Sequence, residues 1–477
     1  MSLRFRNTLG GAIEEFVPID ASNVRMYSCG PTVYGPPHVG NFRSFVFADL
    51  VRRYLAWKGY RVTWVVNITD VDDRIIRDAA QQGVPIDDIT ARWAAVFLDD
   101  MARLRITPPD AMPRATQHIP QMAALIATLL DKGHAYRTDD GSIFFRIASW
   151  PAYGALARLD PSQQRVGERV EADEYSKDDV RDFALWKGPR EGEPSWDTPV
   201  GPGRPGWHIE CSAMSMRHLG QSFDIHTGGI DLIFPHHEDE IAQSEAATGE
   251  RFVRTWLHCD HLRVGGEKMA RRSGHFLRPS DVLADGWSPR ALRYALLAAH
   301  YRAPLEFGDE SLPAAAAAVE RLSTALAALD LHAGSTDTRP DDPQVASTLA
   351  AASAAFETAL DDDLSIAPAL AAVFDLVKDL NRRLADESMS ASDARRAAET
   401  LRDLDRVLAV MEPDASDAQV PEQVTALLEE RVAARAAKDW ARSDALRDAL
   451  AAQGIVVEDT RDGQRWRHAE GTGDGTL

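Results

Sequence analysis

Four side chains of the kinds that hold a transition metal lie far apart in this sequence: Cys29, Cys211, His236 and Glu240. Two thiolates, an imidazole and a carboxylate make a donor set that zinc accepts. His236 and Glu240 stand four apart, so on a helix they share a face. The other separations match no zinc-finger spacing. His237 and Glu238 offer the same donor chemistry close by, so residue type alone leaves the ligand choice open. With Cys259 the chain holds three cysteines in 477 residues, too few and too widely spaced for a disulfide framework. Metal binding or catalysis is their expected use.

Two further segments suit phosphate. In Cys29-Gly30-Pro31-Thr32-Val33-Tyr34-Gly35-Pro36-Pro37-His38-Val39-Gly40-Asn41, a His and a Gly stand where a helix begins. There the free N–H groups, the close approach that Gly permits and a His donor can meet phosphoryl oxygens. In Gly265-Gly266-Glu267-Lys268-Met269-Ala270-Arg271-Arg272-Ser273-Gly274, two glycines and several cations read as a mobile loop that could close on phosphates. Taken alone, each is better explained as a turn with a surface histidine and a solvated basic loop.

The elements that must position these residues follow from periodicity. Val24 to Tyr27 reads as a strand, Phe45 to Gly59 as a helix stopped by glycine, and Arg61 to Asn67 as a buried β-branched strand. This is a βαβ unit, so a parallel α/β sheet is expected, with the Pro31–Gly40 loop at the carboxyl end of a strand, where ligands bind. Glu191 to Gly206 reads as irregular. After Phe307, Pro313 to Leu331 and Ala346 to Leu380 have helical spacing, separated by a loop at Gly334 to Pro343, and a helical bundle is expected. Val410 to Pro421 reads as a linker, Val424 to Gln453 as one helical stretch, Ile455 to Asp459 as a strand, and Glu470 to Leu477 as disordered. Arg431, Arg435, Lys438 and Arg442 recur at helical spacing and form a stripe that could meet a phosphate backbone, or a solvated face laced with Glu430 and Asp439.

Composition bounds the answer. With 44% apolar and 26% charged residues the chain reads as soluble and globular, long enough for two or three domains. No apolar run reaches the roughly 18 residues of a membrane span. Residues 1–7 carry no apolar signal core, so export is not expected. The net charge of −20 argues against a non-specific nucleic-acid binder, though not against an enzyme that grips one RNA through local basic strips.

Taken together, these segments resemble the cysteine–tRNA ligases. That family places a Cys-Gly-x-Thr-Val-Tyr stretch before a His-Ile-Gly-His or His-Ile-Gly-Asn box, here Cys29 to Tyr34 and His38-Val39-Gly40-Asn41. The resemblance continues through Asn67-Ile68-Thr69-Asp70-Val71-Asp72-Asp73 and Pro113-Arg114-Ala115-Thr116 to the Gly203–Met214 segment. Phe223-Asp224-Ile225-His226 and Asp231-Leu232-Ile233-Phe234-Pro235-His236-His237-Glu238 follow, then Ala436 to Trp440 and Gly454 to Val456 near the end.

The resemblance implies a class I synthetase with a Rossmann-like catalytic domain over residues 1–310. That domain is interrupted by a connective-peptide insertion at about 107–201 and carries a phosphate-loop region at about 256–310. A helical bundle (311–410), a linker (411–421) and a small C-terminal α/β anticodon-binding domain (422–477, with a disordered tail) follow. It implies one Zn2+ on Cys29, Cys211, His236 and Glu240, which disfavours His237, and a cysteine pocket lined by Thr69, Trp207 and Asp231. ATP, with Mg2+, is expected at His38, Gly40, Asn41, Lys268, Met269 and Arg271, of which His38, Asn41, Lys268 and Arg271 are the expected catalytic residues. The implied partners are tRNA(Cys), ATP and L-cysteine, for a cytoplasmic monomer with no membrane partner. Serine is nearly isosteric with cysteine, and pocket shape separates such pairs by only a few kcal/mol, whereas zinc prefers thiolate to hydroxyl. One box departs from the family's Lys-Met-Ser-Lys-Ser, reading Lys268-Met269-Ala270-Arg271-Arg272, and Arg74 and Arg77 stand where many relatives carry lysines. Two alternatives share part of the pattern: a ligase that joins cysteine to an amino sugar in mycothiol assembly, which lacks the C-terminal domain, and a non-catalytic paralogue that binds zinc or RNA.

Overall fold

The computed structural model describes residues 2–159, 181–269, 276–337, 339–413, 422–452, 455–460 and 463–468. The chain divides into two compact units. The first comprises Met1–Arg278, Leu296–Phe307 and Ala350–Val373, and the second comprises Pro279–Ala295, Gly308–Leu349 and Phe374–Leu477.

The first unit is built on a four-stranded parallel sheet. Its elements are β1 (Val24–Ser28), α1 (Val39–Trp57), β2 (Val62–Val66), α2 (Trp207–Leu219), β3 (Phe223–Gly229), α3 (Glu238–Thr248) and β4 (Val253–Cys259). The order is β4-β3-β1-β2, with Met26 opposite Ile225 and Tyr27 opposite Val65. The run Trp64-Val65-Val66 is buried throughout, as a parallel strand covered on both faces requires. Helix α1 starts at Val39, six residues before the reading from periodicity, because His38 caps it. Gly59 follows at φ +92°, a conformation in which other side chains are strained. The chain leaves β1 toward β2 on one side and returns as β3 on the other, so the crevice between the ends of β1 and β3 is the switch point of the sheet.

Between β2 and α2 lies an antiparallel sheet of Ala135–Arg137, Ile143–Phe145, Phe183–Lys187 and Arg204–Pro205. Its last short strand falls inside the stretch expected to be irregular. Phe145, Leu185 and Trp186 from this sheet share a core with Ile209, Met214 and Ala242, while Cys211, Leu219 and Ile241 pack with Tyr27, Phe223 and Trp256 of the parallel sheet. Helices α2 and α3 are therefore held from two sides. That explains why Glu238, Asp239 and Glu240 are all buried.

The second unit is largely helical, with Ser311–Ala333 and Ala391–Leu408 among its helices. Among the described residues, Ser311–Ala333 has the length and apolarity to cross a bilayer, but Glu320 and Arg321 interrupt it and its Leu312, Val319, Leu322 and Leu329 face is buried. The helical stretch read from Ala346 to Leu380 is two helices, Pro343–Asp361 and Ile366–Ala385, parted at Asp363 and Leu364, both at positive φ. The stretch read from Val424 to Gln453 is likewise two helices, Glu422–Ala436 and Trp440–Ala451, with Lys438 at φ +58° in the turn. This break corrects the basic stripe. Arg431 is buried, Arg435 lies over the Trp440 ring at 5.7 Å, and Arg442 bonds Glu430 at 2.5 Å. The four cations do not share one exposed face. The strand at Ile455–Thr460 pairs antiparallel with a second, Gly463–His468. The expected linker after 413 and the tail from 470 lie outside the described residues.

Candidate active site

Cys29 directly follows β1, and the site grows around it at the switch point. Cys211 comes from the second turn of α2, His236 from the helical turn ahead of α3, and Glu240 from the first turn of α3. The Cys29 and Cys211 sulfurs are 3.7 Å apart, too far for a disulfide. Glu240 Oε1 lies 3.5 Å from Cys29 Sγ and 3.0 Å from His236 Nε2. The donor atoms of these four residues all lie within 4.8 Å of one another. His236 Nε2 is buried and has no well-directed hydrogen bond, while its Nδ1 meets His208 Nδ1 at 2.9 Å. Two soft thiols, an under-satisfied imidazole nitrogen and a carboxylate converging on one point fit a divalent zinc ion.

A second set, Cys29, His226, His237 and Glu240, converges equally closely. Each ring nitrogen of its two histidines already has a hydrogen-bond partner, whereas His236 Nε2 has no well-directed one. His226 Nε2 is 3.1 Å from Glu240 Oε2, and His237 bridges Cys29 Sγ at 3.2 Å and His258 Nε2 at 2.7 Å. Gly228 makes room for this, since a Cβ there would lie 2.6 Å from His237 Cε1. Glu238, a rival ligand by chemistry, is occupied elsewhere and accepts the N–H groups of Gly154 and Ala157 at 2.8 and 2.9 Å.

The protonation pattern follows from burial and neighbours. Burial, then the nearby Cys211 and Glu240, hold the Cys29 thiol well above its usual range. Burial also works against the Cys211 thiolate, but the Cys29 hydrogen bond and His236 outweigh it and bring Cys211 down to about 6. Burial disfavours His236 in its charged form, yet Cys211 and Glu240 raise it to about 10. Burial would raise Glu240, and His226 and His236 instead bring it to about 2. Burial, then the nearby His226, brings His258 down to about 3, so it stays neutral.

The residues expected in the amino-acid pocket adjoin this cluster. Thr69 donates to Glu210 Oε2 at 2.8 Å and accepts from Asn67 Nδ2 at 3.2 Å. Trp207 stacks on His236 with ring centroids 4.1 Å apart. Asp231 follows β3 and pairs with Lys268 Nζ at 2.8 Å, so the segment expected to line the pocket and the segment expected to meet phosphates touch in one ion pair.

At the helix start, Asn41 N–H donates to His38 Nδ1 at 3.2 Å, and His38 N–H donates to Asn41 Oδ1 at 3.0 Å. The Asn41 side chain thus serves the cap. Because Nδ1 accepts, neutral His38 carries its proton on Nε2. A Cβ on Gly40 would press on the His38 ring at 3.0 Å and sit 3.5 Å from Met269 Cβ. The helix start and the Met269 segment are therefore adjacent. Arg271 and Arg272 lie outside the described residues.

Comparison with known proteins decides the family. Residues 15–317 match the tRNA synthetases class I (C) catalytic domain, 355–412 the DALR domain, and 417–467 the cysteinyl-tRNA ligase anticodon binding domain. The cysteine–tRNA ligase of Solibacter usitatus is 46% identical over 476 residues, covering 98% of this chain and 100% of the relative. This chain belongs to the cysteine–tRNA ligase family. Members from Pseudomonas syringae and Leptospira interrogans are 45% and 44% identical, each across 98% of this chain and 100% and 99% of their own lengths. The fold is that of class I synthetases more widely. Mycobacterium tuberculosis methionyl-tRNA synthetase bound by methionyl-adenylate superposes with a TM-score of 0.60 at 16% identity, covering 84% of this chain and 95% of that one. Agrobacterium radiobacter leucyl-tRNA synthetase, in a ternary complex, gives 0.59 at 13% identity, covering 84% and 85%.

The resemblance implied Cys29, Cys211, His236 and Glu240 as the metal donors but gave no role to His208, His226, His237 or His258. A signal was present. His226 follows Ile225 and His258 follows Trp256-Leu257 in parts of their strands that are buried, where a polar ring needs a partner.

Proposed function

We infer that this chain joins L-cysteine to tRNA(Cys) through a cysteinyl adenylate, at the expense of ATP. The observation that carries the chemistry is the convergence of Cys29, Cys211, His236 and Glu240 at the switch point of the sheet, in a member of this family. We assign one zinc to these four residues. When bound, zinc supplies a soft Lewis acid that takes the substrate thiol as thiolate and discriminates against a hydroxyl.

The protein's own groups do the rest by position. Asp231, at the pocket edge, is the partner for the substrate ammonium, and Trp207 and Thr69 wall the side chain. In the structure Asp231 is taken by Lys268. Both groups are about half exposed, so opening this pair costs at most about 1 kcal/mol. Opening it releases a carboxylate to the substrate and a lysine to the phosphates in one movement. His38 offers its Nε2–H to a phosphoryl oxygen, and Asn41 keeps that tautomer in place. Lys268 and Arg271, with Mg2+ on ATP, meet the charge that develops as the cysteine carboxylate attacks the α-phosphorus. The enzyme is read as a cytoplasmic monomer.

Cysteine-dependent exchange of pyrophosphate into ATP by the purified chain tests the adenylation step. Exchange that cysteine stimulates and serine does not is the expected result, and no exchange in a zinc-loaded protein would leave the non-catalytic reading.

A further inference from the structure

We propose that Asp73 is a positioning residue for the cysteine pocket, tying the loop that carries Thr69 to the strand that delivers Trp207. The inference rests on the reading that Thr69 and Trp207 line that pocket.

Asp73 opens the helix Asp73–Gln82, directly after the 67–72 loop, and Asp72 caps that helix through the Arg74 N–H at 2.8 Å. The Asp73 carboxylate splits between two cations of the antiparallel sheet. Oδ2 takes Lys187 Nζ at 2.6 Å and Oδ1 takes Arg204 Nη2 at 2.5 Å. Arg204 also reaches Glu193 at 2.8 Å, so two cations and two carboxylates balance. The Arg204 side chain is 5% exposed and that of Lys187 is 11% exposed, whereas Asp73 is half open to water. The cations, not the carboxylate, are enclosed, so the pairs hold one arrangement chiefly because loss of Asp73 leaves two poorly solvated positive charges.

What the clamp holds is what the pocket needs. Arg204 and Pro205 pair with Trp186 and Lys187, and Gly206 N–H donates to Leu185 O at 2.9 Å. A Cβ on Gly206 would lie 2.0 Å from Ala184 O, so this backbone is pressed onto its neighbour strand, and α2 begins at the next residue, Trp207. On the other side, Thr69 N–H donates to Pro31 O at 3.1 Å. Among the described residues the two walls also meet through the Thr69–Glu210 hydrogen bond and the Cys211 Sγ–Asn67 Oδ1 contact at 3.7 Å, and Val71 shares a core with Ile209. These attachments lie on the α2 side of Trp207, whereas the Asp73 clamp grips the strand ahead of it, so the clamp fixes Trp207 from its other side. None of the four charged groups contacts the metal cluster or the phosphate segments among the described residues, so their role is exercised through Thr69 and Trp207.

The test is Asp73→Asn in the full-length, zinc-loaded chain, which removes the charge and keeps the shape. Misplacing a pocket wall by about 1 Å commonly costs on the order of 10²-fold. KM for cysteine in pyrophosphate exchange is expected to rise roughly 10- to 100-fold with KM for ATP unchanged. Arg204→Gln should give the same defect, and the double variant should add little to either. Hydrogen exchange should quicken in residues 67–72 and 204–210 together and not in α1. The proposal is overturned if KM for cysteine is unchanged, if both KM values rise in step, or if exchange in the two segments stays as in the unmutated protein. Should Asp73→Asn fail to accumulate, Lys187→Gln, which leaves the helix start intact, is read by the same criteria. A wild-type chain with no cysteine-dependent activity would defeat the functional reading, while the paired hydrogen-exchange response would still decide the clamp.

Discussion

Replacing Gly30 by alanine is a one-methyl perturbation with a large expected consequence. A Cβ at this position would lie 1.6 Å from the backbone oxygen of Asn67 and 2.6 Å from its carbonyl carbon. Carbon–oxygen contact is comfortable only from about 3.3 Å, so the ends of β1 and β2 must part by roughly 1.5–2 Å. The ladder resists this, since Ser28 pairs with Val66, and the Gly30 N–H donates to Asn67 Oδ1 at 2.8 Å. Overpacking of this kind costs about 1–3 kcal/mol, and stranding a buried donor costs about 1–3 kcal/mol more. Cys29 is the adjoining residue and Asn67 Oδ1 lies 3.7 Å from Cys211 Sγ, so the displacement reaches two proposed ligands. Metal–ligand distances tolerate only about ±0.2 Å. Zinc affinity, measured by competition with a chelating dye, should fall by about 10- to 100-fold or more, the range seen when ligand supports are removed. The urea midpoint should fall with it. Gly308→Ala is the control, because a Cβ there meets nothing within 4 Å. Gly30→Ala that binds zinc as tightly and unfolds at the same urea concentration as the unmutated chain would refute the close-approach argument.

Other expectations follow from the same geometry. Cys211→Ser should lose zinc or cysteine affinity, and full zinc content with unchanged cysteine binding would remove Cys211 from the ligand set. Near pH 7 the Cys29 thiol and the His236 imidazolium are protonated, whereas Cys211, at about 6, and Glu240, at about 2, are largely ionised. Zinc binding should therefore release about two protons and weaken as pH falls, which calorimetry in buffers of different ionisation enthalpy reads directly. Heats that do not depend on the buffer would contradict this. A chain ending near Pro421 should keep pyrophosphate exchange and lose most transfer to RNA, and equal charging by both forms would sink the assignment of the last segment. Arg271→Ala should cut kcat by on the order of 10²–10³ with Arg271→Lys retaining substantial activity, and an unchanged exchange rate would show that this residue does not engage ATP.

The sheet was legible because Trp64-Val65-Val66 and the helix after the Pro31–Gly40 loop have unambiguous periods. The two helix breaks were not. Asp363, Leu364 and Lys438 turn the chain at positive φ without a glycine, and nothing in residue type marks a non-glycine residue in that region. The supposed basic stripe failed for the same reason, since spacing along a helix has meaning only while the helix continues. The four proposed ligands were readable from type and motif. Their neighbours come from β3, β4, α2 and the turn before α3, and only the fold shows that His226 meets Glu240 and His237 meets Cys29, with His258 behind His237. The Asp231–Lys268 pair was hidden because pocket and loop were read as separate segments. Burial of Glu238, Asp239 and Glu240 was unreadable too, since three consecutive acids look like a solvated surface until Tyr153, the 154–157 loop and two histidines are found against them.

The most direct test is charging of tRNA(Cys) by the purified, zinc-loaded chain with ATP and Mg2+, supplied in parallel with radiolabelled cysteine and with serine. The account predicts acid-precipitable label from cysteine, none above background from serine, and loss of the cysteine signal in Cys211→Ser. Failure to charge tRNA(Cys), or comparable charging with serine, would contradict it.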